Sequence, residues 1–424
     1  MSPPTQVIVR SYQVGFGDCF LLSFVYKNSS RHVLIDFGST GLPESVGKSH
    51  LLRVARSIRD DCGGKLHAIV ATHRHADHIN GFDPGQDNTG PGTIIASLKP
   101  DIVIQPWTED PNAREDARAP SKVGEHSRAF LHAVEAFENA LPAAADAMVT
   151  DNAGSPLIQQ LAFLGETNIA NHRAVKQLAK MGEAGEARYV HYGSAGGLNL
   201  PGVRVSILGP PTIEQSRLIS SQRRSDPEEF WSLVAGNAVN GKSEPPFTAR
   251  FRTKREPGPA RWIIDRLKYL PAEQLLEIVR ILDGVLNNTS VILLFEVGRQ
   301  VLLFPGDAQV ESWEYVLSKA RDNATLRKRL EAVTVYKVGH HGSLNATPKT
   351  LWRMLRYRKV AGKRQSELLL HTFLSSMHGK HGTAANNTEV PRRTLVAALK
   401  RETVLHSTES LPHSQLRVEQ VFEP

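Results

Sequence analysis

The chain has little cysteine. Cys19 and Cys62 are the only two in 424 residues, too few for a disulfide framework. Cys62 also falls in the polar turn Asp60-Asp61-Cys62-Gly63-Gly64. No run of about 18 apolar residues occurs, so no membrane-crossing helix is expected. The N-terminus, Met1-Ser2-Pro3-Pro4-Thr5-Gln6, lacks the basic and apolar regions of a secretory signal. These absences predict a cytoplasmic protein. Low-complexity tracts and internal repeats are also absent. What remains is ordinary for a globular chain, 40% hydrophobic and 22% charged. Its length suits two average domains or one large domain with insertions.

Against this background one stretch stands out. Thr72-His73-Arg74-His75-Ala76-Asp77-His78 puts three imidazoles and a carboxylate into six residues. It follows His67-Ala68-Ile69-Val70-Ala71, an apolar run that reads as a buried strand. Side chains alternate along a strand and fan out where it ends. His73 and His75 then converge on one point, and Asp77 and His78 on a second nearby. That ligand set suits two divalent metal ions, zinc or manganese, bridged by a water. Isolated surface histidines are the bland alternative, but four such groups at one strand end do not fit it.

The first forty residues read as three short strands, Val7 to Tyr12, Cys19 to Tyr26 and His32 to Asp36. Glycines in Val14-Gly15-Phe16-Gly17-Asp18 allow a tight turn. Asp18 and Asp36 sit at strand-to-loop breaks, where they either cap turns or orient metal-binding histidines. A helix is predicted over Glu44 to Asp60. A helix should start near Ile79, and Ile102 to Gln105 is a short strand. Residues 108–190 are Ala- and Glu-rich with helical periodicity and no strong strand, and read as a helical insertion. Val203 to Leu208 returns to strand. A second insertion spans residues 212–287.

Two further strand ends carry candidate ligands. Val301-Leu302-Leu303-Phe304 runs into Pro305-Gly306-Asp307-Ala308. Asp307 is either a carboxylate bridging two metals about 3.5–4 Å apart or an N-cap of the helix predicted over Gln309 to Lys319. The strand Val333 to Val338 ends in Gly339-His340-His341-Gly342-Ser343. One of these histidines should complete the second metal's shell, and the other touch substrate or donate a proton. Ser343 is placed to hold a phosphate or to cap the next helix. Later, His378 and His381 follow the strand Leu368 to Phe373 and either contact substrate or lie in solvent.

His-X-His-X-Asp-His after a strand resembles the signature of the metallo-β-lactamase fold superfamily. That resemblance implies an α/β, four-layer αβ/βα sandwich with metals at one edge, here a single domain with two mainly helical insertions. It implies His73 and His75 on the first ion, Asp77, His78 and His341 on the second, and Asp307 between them. The order of Val14 to Asp18, Thr72 to His78, Asn288-Thr289-Ser290, Gly306-Asp307 and Gly339 to Ser343 is similar to one branch. That branch is the metallo-hydrolase domain of the bacterial competence DNA-uptake channel protein and its stand-alone relatives. One departure matters. Many members carry a further histidine before the bridging aspartate, but Val205 to Pro210 has none. His191 and His172 lie earlier, and His191 is the candidate for that place.

Net charge is +8. Trp352 to Gln365 holds six cations and no acid, and a second basic group spans Arg250 to Arg261. Solvated faces account for either alone. Beside a hydrolytic site they favour a nucleic-acid or other phosphodiester partner. The expected function is a metal-dependent hydrolase, a phosphodiesterase or nuclease using a metal-bridging hydroxide, with Asp77, His340 and His381 as catalytic candidates. Alternatives are a lactam, lactone or thioester hydrolase, a redox role with iron, and a nucleic-acid-binding or interaction protein with a degenerate site.

Overall fold

Alternation along the strands decides the architecture. In Cys19–Val25, Phe20, Leu22 and Phe24 enter one apolar core while Cys19 and Leu21 enter another. In Ile292–Val297, Leu293, Phe295 and Val297 share the first of those cores and Ile292 and Leu294 enter a third. Strands apolar on both sides must be covered on both faces. Two sheets therefore pack face to face, and helices cover their outer faces. This is a mixed α/β sandwich of the αβ/βα kind, as predicted.

The computed structural model describes residues 2–42, 46, 47, 49–110, 171–220, 223, 226, 228–231, 285–361, 363, 364, 366–377, 379, 380, 382, 389–409, 411, 412 and 414–424. The first sheet comprises β1 (Gln6–Tyr12), β2 (Cys19–Val25), β3 (Ser30–Phe37), β4 (Ala68–Val70), β5 (Ile102–Pro106), β6 (Glu186–Val190) and β13 (Arg417–Phe422), ordered β13-β1-β2-β3-β4-β5-β6. The second comprises β7 (Arg204–Gly209), β8 (Ile292–Val297), β9 (Gln300–Phe304), β10 (Val335–Lys337), β11 (His371–Leu374) and β12 (Val404–Ser407), ordered β12-β11-β10-β9-β8-β7. The aromatic pairs Phe20–Phe304 and Phe24–Phe295, with centroids 5.6 and 5.8 Å apart, join the two sheets. Truncating such a buried ring costs about 3–5 kcal/mol.

Helices α1 (His50–Asp61), α3 (Pro91–Ser97) and α4 (His172–Ala184) cover the first sheet through Val54, Ile58, Ile95 and Leu178. Helices α5 (Val310–Asp322), α6 (Ala324–Glu331), α7 (Lys349–Met354) and α8 (Arg393–Glu402) cover the second through Trp313, Leu330, Leu351 and Leu399. A short helix α2 (Ala76–Ile79) lies within the histidine-rich segment.

The end of the stretch expected to be a helical insertion differs from that expectation. Its last residues form α4 and then β6, which pairs in parallel with β5 at the sheet edge. An edge strand with Glu186 and Ala187 exposed and only Val190 buried carries no apolar alternation to read. Residues 111–170 and 232–284, which hold the rest of both expected insertions and the basic group at 250–261, lie outside the described residues.

Strands β3 to β6 run parallel, as do β9 to β12. Loops leaving the carboxyl ends of parallel strands gather on one side, where such sheets place their sites. The loops after β3, β4, β9, β10 and β11 supply the residues described next.

Candidate metal centre

Asp77, His78, Asp307 and His341 converge so that one ligand atom from each lies within 4.8 Å of the others, and all four are buried. The segment after β4 turns into α2 with His75 as its extended N-cap residue. That turn aims Asp77 and His78 inward. Close backbone packing fixes it from below. A Cβ on Gly38 would collide with the Ala76 carbonyl oxygen and the His78 amide nitrogen. Asp18 N donates to Asp77 O at 2.8 Å.

Asp307 enters from the β9 end. Helix α5 has Gln309 as its N-cap residue, so Asp307 does not cap it. Its amide donates to Ser290 Oγ at 3.1 Å, which ties the Asn288-Thr289-Ser290 segment to the site. His340 and His341 follow β10 with φ of 44° and 51°. This left-handed pair costs local strain that surrounding contacts must hold. The result is a buried His341 and a His340 whose side chain stays 28% exposed.

His78 shows how each ring is aimed. Its Nδ1 lies 2.7 Å from Asp36 Oδ2, and Asp36 also accepts from Thr72 N at 2.7 Å and Thr72 Oγ1 at 2.8 Å. Asp36 therefore orients the imidazole, leaving Nε2 3.0 Å from Asp307 Oδ2. That nitrogen makes no hydrogen bond among the described residues. His341 donates through Nδ1 to Ser375 O at 3.0 Å, and its Nε2 lies 3.0 Å from Asp77 Oδ2. Phe16 packs on the His341 ring at 4.4 Å. Asp18 Oδ1 is 3.6 Å from His341 Nδ1.

The site also holds a lysine that sequence reasoning missed. Lys337, 2% exposed, donates to Gly306 O at 2.8 Å and Asp307 Oδ1 at 3.1 Å and contacts Asp18 Oδ2. The signal was a lone lysine two residues ahead of Gly339-His340-His341-Gly342, in a strand otherwise without charge.

Electrostatics follow from four buried carboxylates around one ammonium. Burial disfavours the His78 imidazolium, but Asp307, Asp36 and Asp77 outweigh it and hold the pKa well above the usual value. His341 is raised in the same way, against burial, by Asp18 and Asp307. Burial opposes the charge on Asp77 and Asp307, yet the adjacent His78 leads the groups that keep both carboxyls below the usual range. Burial and the neighbouring His78 and His75 push His73 well down, so it stays a neutral donor.

This donor set fits a divalent cation. Asp77 Oδ1 is buried without a hydrogen-bond partner among the described residues. The 3.0 Å separations of His78 Nε2 from Asp307 Oδ2, and of His341 Nε2 from Asp77 Oδ2, suit ligands sharing a small ion with bonds of about 2.0–2.2 Å. Residues 14–151 match the metallo-beta-lactamase superfamily. No curated protein matches the chain. The superfamily match covers the His-X-His-X-Asp-His segment, and the fold and buried His/Asp cluster agree with a metal-dependent hydrolase of that superfamily.

The other expected residues are placed unequally. His73 Nε2 lies 3.0 Å from His75 Nδ1, and the His73 ring packs tilted against His78 with centroids 4.2 Å apart, so this pair adjoins the cluster. His191, the candidate third partner for that pair, points Nδ1 at Tyr192 O, 2.9 Å away, and belongs to no ligand cluster among the described residues. Ser343 hydrogen-bonds Asn345 and does not cap α7, whose N-cap residue is Pro348. His378 and His381 lie outside the described residues.

Proposed function

We propose that this protein is a metal-dependent phosphodiesterase acting on nucleic acid, with zinc or manganese as its metal. The observation that carries the reading is the buried convergence of Asp77, His78, Asp307 and His341. Similarity of the Asn288-Thr289-Ser290 and Gly339-His340-His341-Gly342-Ser343 segments to the competence-protein hydrolase branch supports the choice of a phosphodiester. A bound divalent ion supplies Lewis acidity toward a phosphoryl oxygen and acidifies water.

The chain's own residues divide the remaining work. Asp77, His78, Asp307 and His341 would hold one ion, and His73 and His75, beside them, would be donors to a second. Asp36 keeps His78 aimed inward. Asp77 Oδ1, without a hydrogen-bond partner among the described residues, would accept a hydrogen bond from the attacking water and so orient it. His340 stands at the rim, with Nε2 3.8 Å from Asp307 Oδ2, and as an imidazolium would donate its own proton to the leaving oxygen.

A panel of single- and double-stranded DNA and RNA, with manganese, magnesium or zinc, tests this beside lactam, lactone and thioester substrates. Metal-dependent phosphodiester cleavage that disappears in folded Asp77→Ala and Asp307→Ala proteins is expected. Full activity in a correctly folded Asp307→Ala protein would sink the assignment. Turnover of the small esters alone would replace the phosphodiester with a carbonyl substrate.

A further inference from the structure

We infer that Arg353, Arg356, Lys359 and Arg364, together with Lys400 in the last turn of α8, form a docking surface for a nucleic-acid backbone at the end of the second sheet opposite the His/Asp cluster. Topology separates the two. The cluster lies beyond the carboxyl ends of β10 and β11. Helix α7 carries the chain back from that side, and His371 then starts β11 from the other. At that far end Arg356 N donates to Glu331 O and Lys359 N to Glu402 O, so the loop packs on the last residues of α6 and α8.

The cations there divide into two kinds. Arg358 is a strut. It pairs with Glu402 at 2.6 Å and lies 5.1 Å from the Trp352 ring, with its side chain 14% exposed. Arg353, Arg356, Lys359, Arg364 and Lys400 make no ion pair among the described residues. Of the nearby acids, Glu402 is engaged by Arg358 and Arg401 and Glu331 by Arg327, while the exposed Glu367 beside Arg364 offsets one charge. Helix dipoles account for part of this charge. The ends of α7 and α8 each carry about half a negative charge, which Arg353 and Lys400 answer. Arg356, Lys359 and Arg364 exceed that need.

Composition then selects the partner. A protein interface needs buried aromatic or aliphatic anchors, and a membrane surface needs an apolar face to insert. Here Val360, 53% exposed, is the one large hydrophobic exposed on this loop among the described residues. Charge without apolar anchors gives useful affinity where condensed counterions are released, as on nucleic-acid backbones. Phosphates bound here do not reach the cluster, so the surface tethers a polymer and leaves its reacting bond to another segment.

Binding of a 30-base-pair duplex to the full chain, with chelator present to prevent cleavage, tests this independently of hydrolysis. Wild type is expected to bind with strong salt dependence. The variant Arg353→Ala, Arg356→Ala, Lys359→Ala, Lys400→Ala should bind at least roughly tenfold more weakly at about 0.1 M salt. Its slope of log affinity on log salt should be shallower by about 3 to 4. Lys400→Glu alone, at an exposed position, should weaken binding in the same direction. A control of equal sign, Lys176→Ala with Lys180→Ala on exposed positions of α4, should bind like wild type. Equal loss in the control, no duplex binding by wild type, or binding only to phosphatidylserine vesicles would each overturn the proposal.

Discussion

Lys337 Nζ lies 3.1 Å from Asp307 Oδ1, and both side chains are closed off from solvent. Oδ1 also accepts from His340 N at 3.1 Å. Two donors thus occupy one oxygen of Asp307, and Oδ2 alone faces His78 at 3.0 Å and His341 at 3.8 Å. Oδ2 is therefore the oxygen that Asp307 would offer to a metal ion. Among the described residues the ammonium is also the one fixed positive charge beside the buried carboxylates of the site, in contact with Asp18 and Asp307. Burial works against it, but Asp18 and Asp307 hold its pKa above the usual lysine value.

Removing that charge should destabilise the metal-free protein. Lys337→Met leaves Asp18 and Asp307 buried without their counter-ion, a loss of about 3–5 kcal/mol. A divalent ion restores positive charge beside Asp307, so the deficit should shrink when metal is added. Denaturant unfolding of wild type and variant, with chelator and with metal, measures both quantities. A deficit that is small without metal, or that grows with it, contradicts the role given to Lys337.

Asp36 acts through His78. Three hydrogen bonds, two from Thr72 and one from the imidazole, converge on its carboxylate. Groups that orient a metal-binding histidine typically contribute 10–100-fold in affinity. Asp36→Ala should therefore weaken divalent-metal binding by about that factor, read in a competition titration with a chromophoric chelator. An unchanged affinity in a folded variant would mean that Asp36 holds the loop and not the ligand.

Much of this was legible in the sequence, for physical reasons. Strand ends, apolar alternation and the spacing of His73, His75, Asp77 and His78 are local features, and local features survive in one dimension. Asp307 and His341 were found because each ends a strand in a glycine-marked loop. What escaped depends on distant pairing. His341 meets Asp77 across 264 positions, and β1 pairs with β13 from the far end of the chain. Asp36 read equally well as a turn cap until Thr72 and His78 were seen around it. Lys337 hid inside a strand because its partners come from the β1–β2 turn and the β9 end. The basic loop was found, but not its place. Only the direction of α7 puts it opposite the cluster.

Acid should weaken the fold through His32. It is buried on β3, with Nδ1 2.8 Å from Ser23 Oγ. Burial, with His67 and Arg10 nearby, lowers its pKa from 6.5 to about 4. Above pH 6.5 the ring is neutral in both folded and unfolded chains, and it contributes nothing to the pH dependence. Between 6.5 and about 4 the unfolded chain takes up a proton that the folded chain refuses, so stability falls as pH falls. Below about 4 the folded ring titrates too and the loss levels off. After allowance for solvent screening the total is on the order of 2 kcal/mol. Paired unfolding curves of wild type and His32→Gln from pH 7 to pH 4 isolate this group from His371 and His406, whose pKa values are also lowered, by burial first. The difference in unfolding free energy between the two proteins should drift toward the variant as the pH drops. A difference constant across that window would assign the acid sensitivity elsewhere.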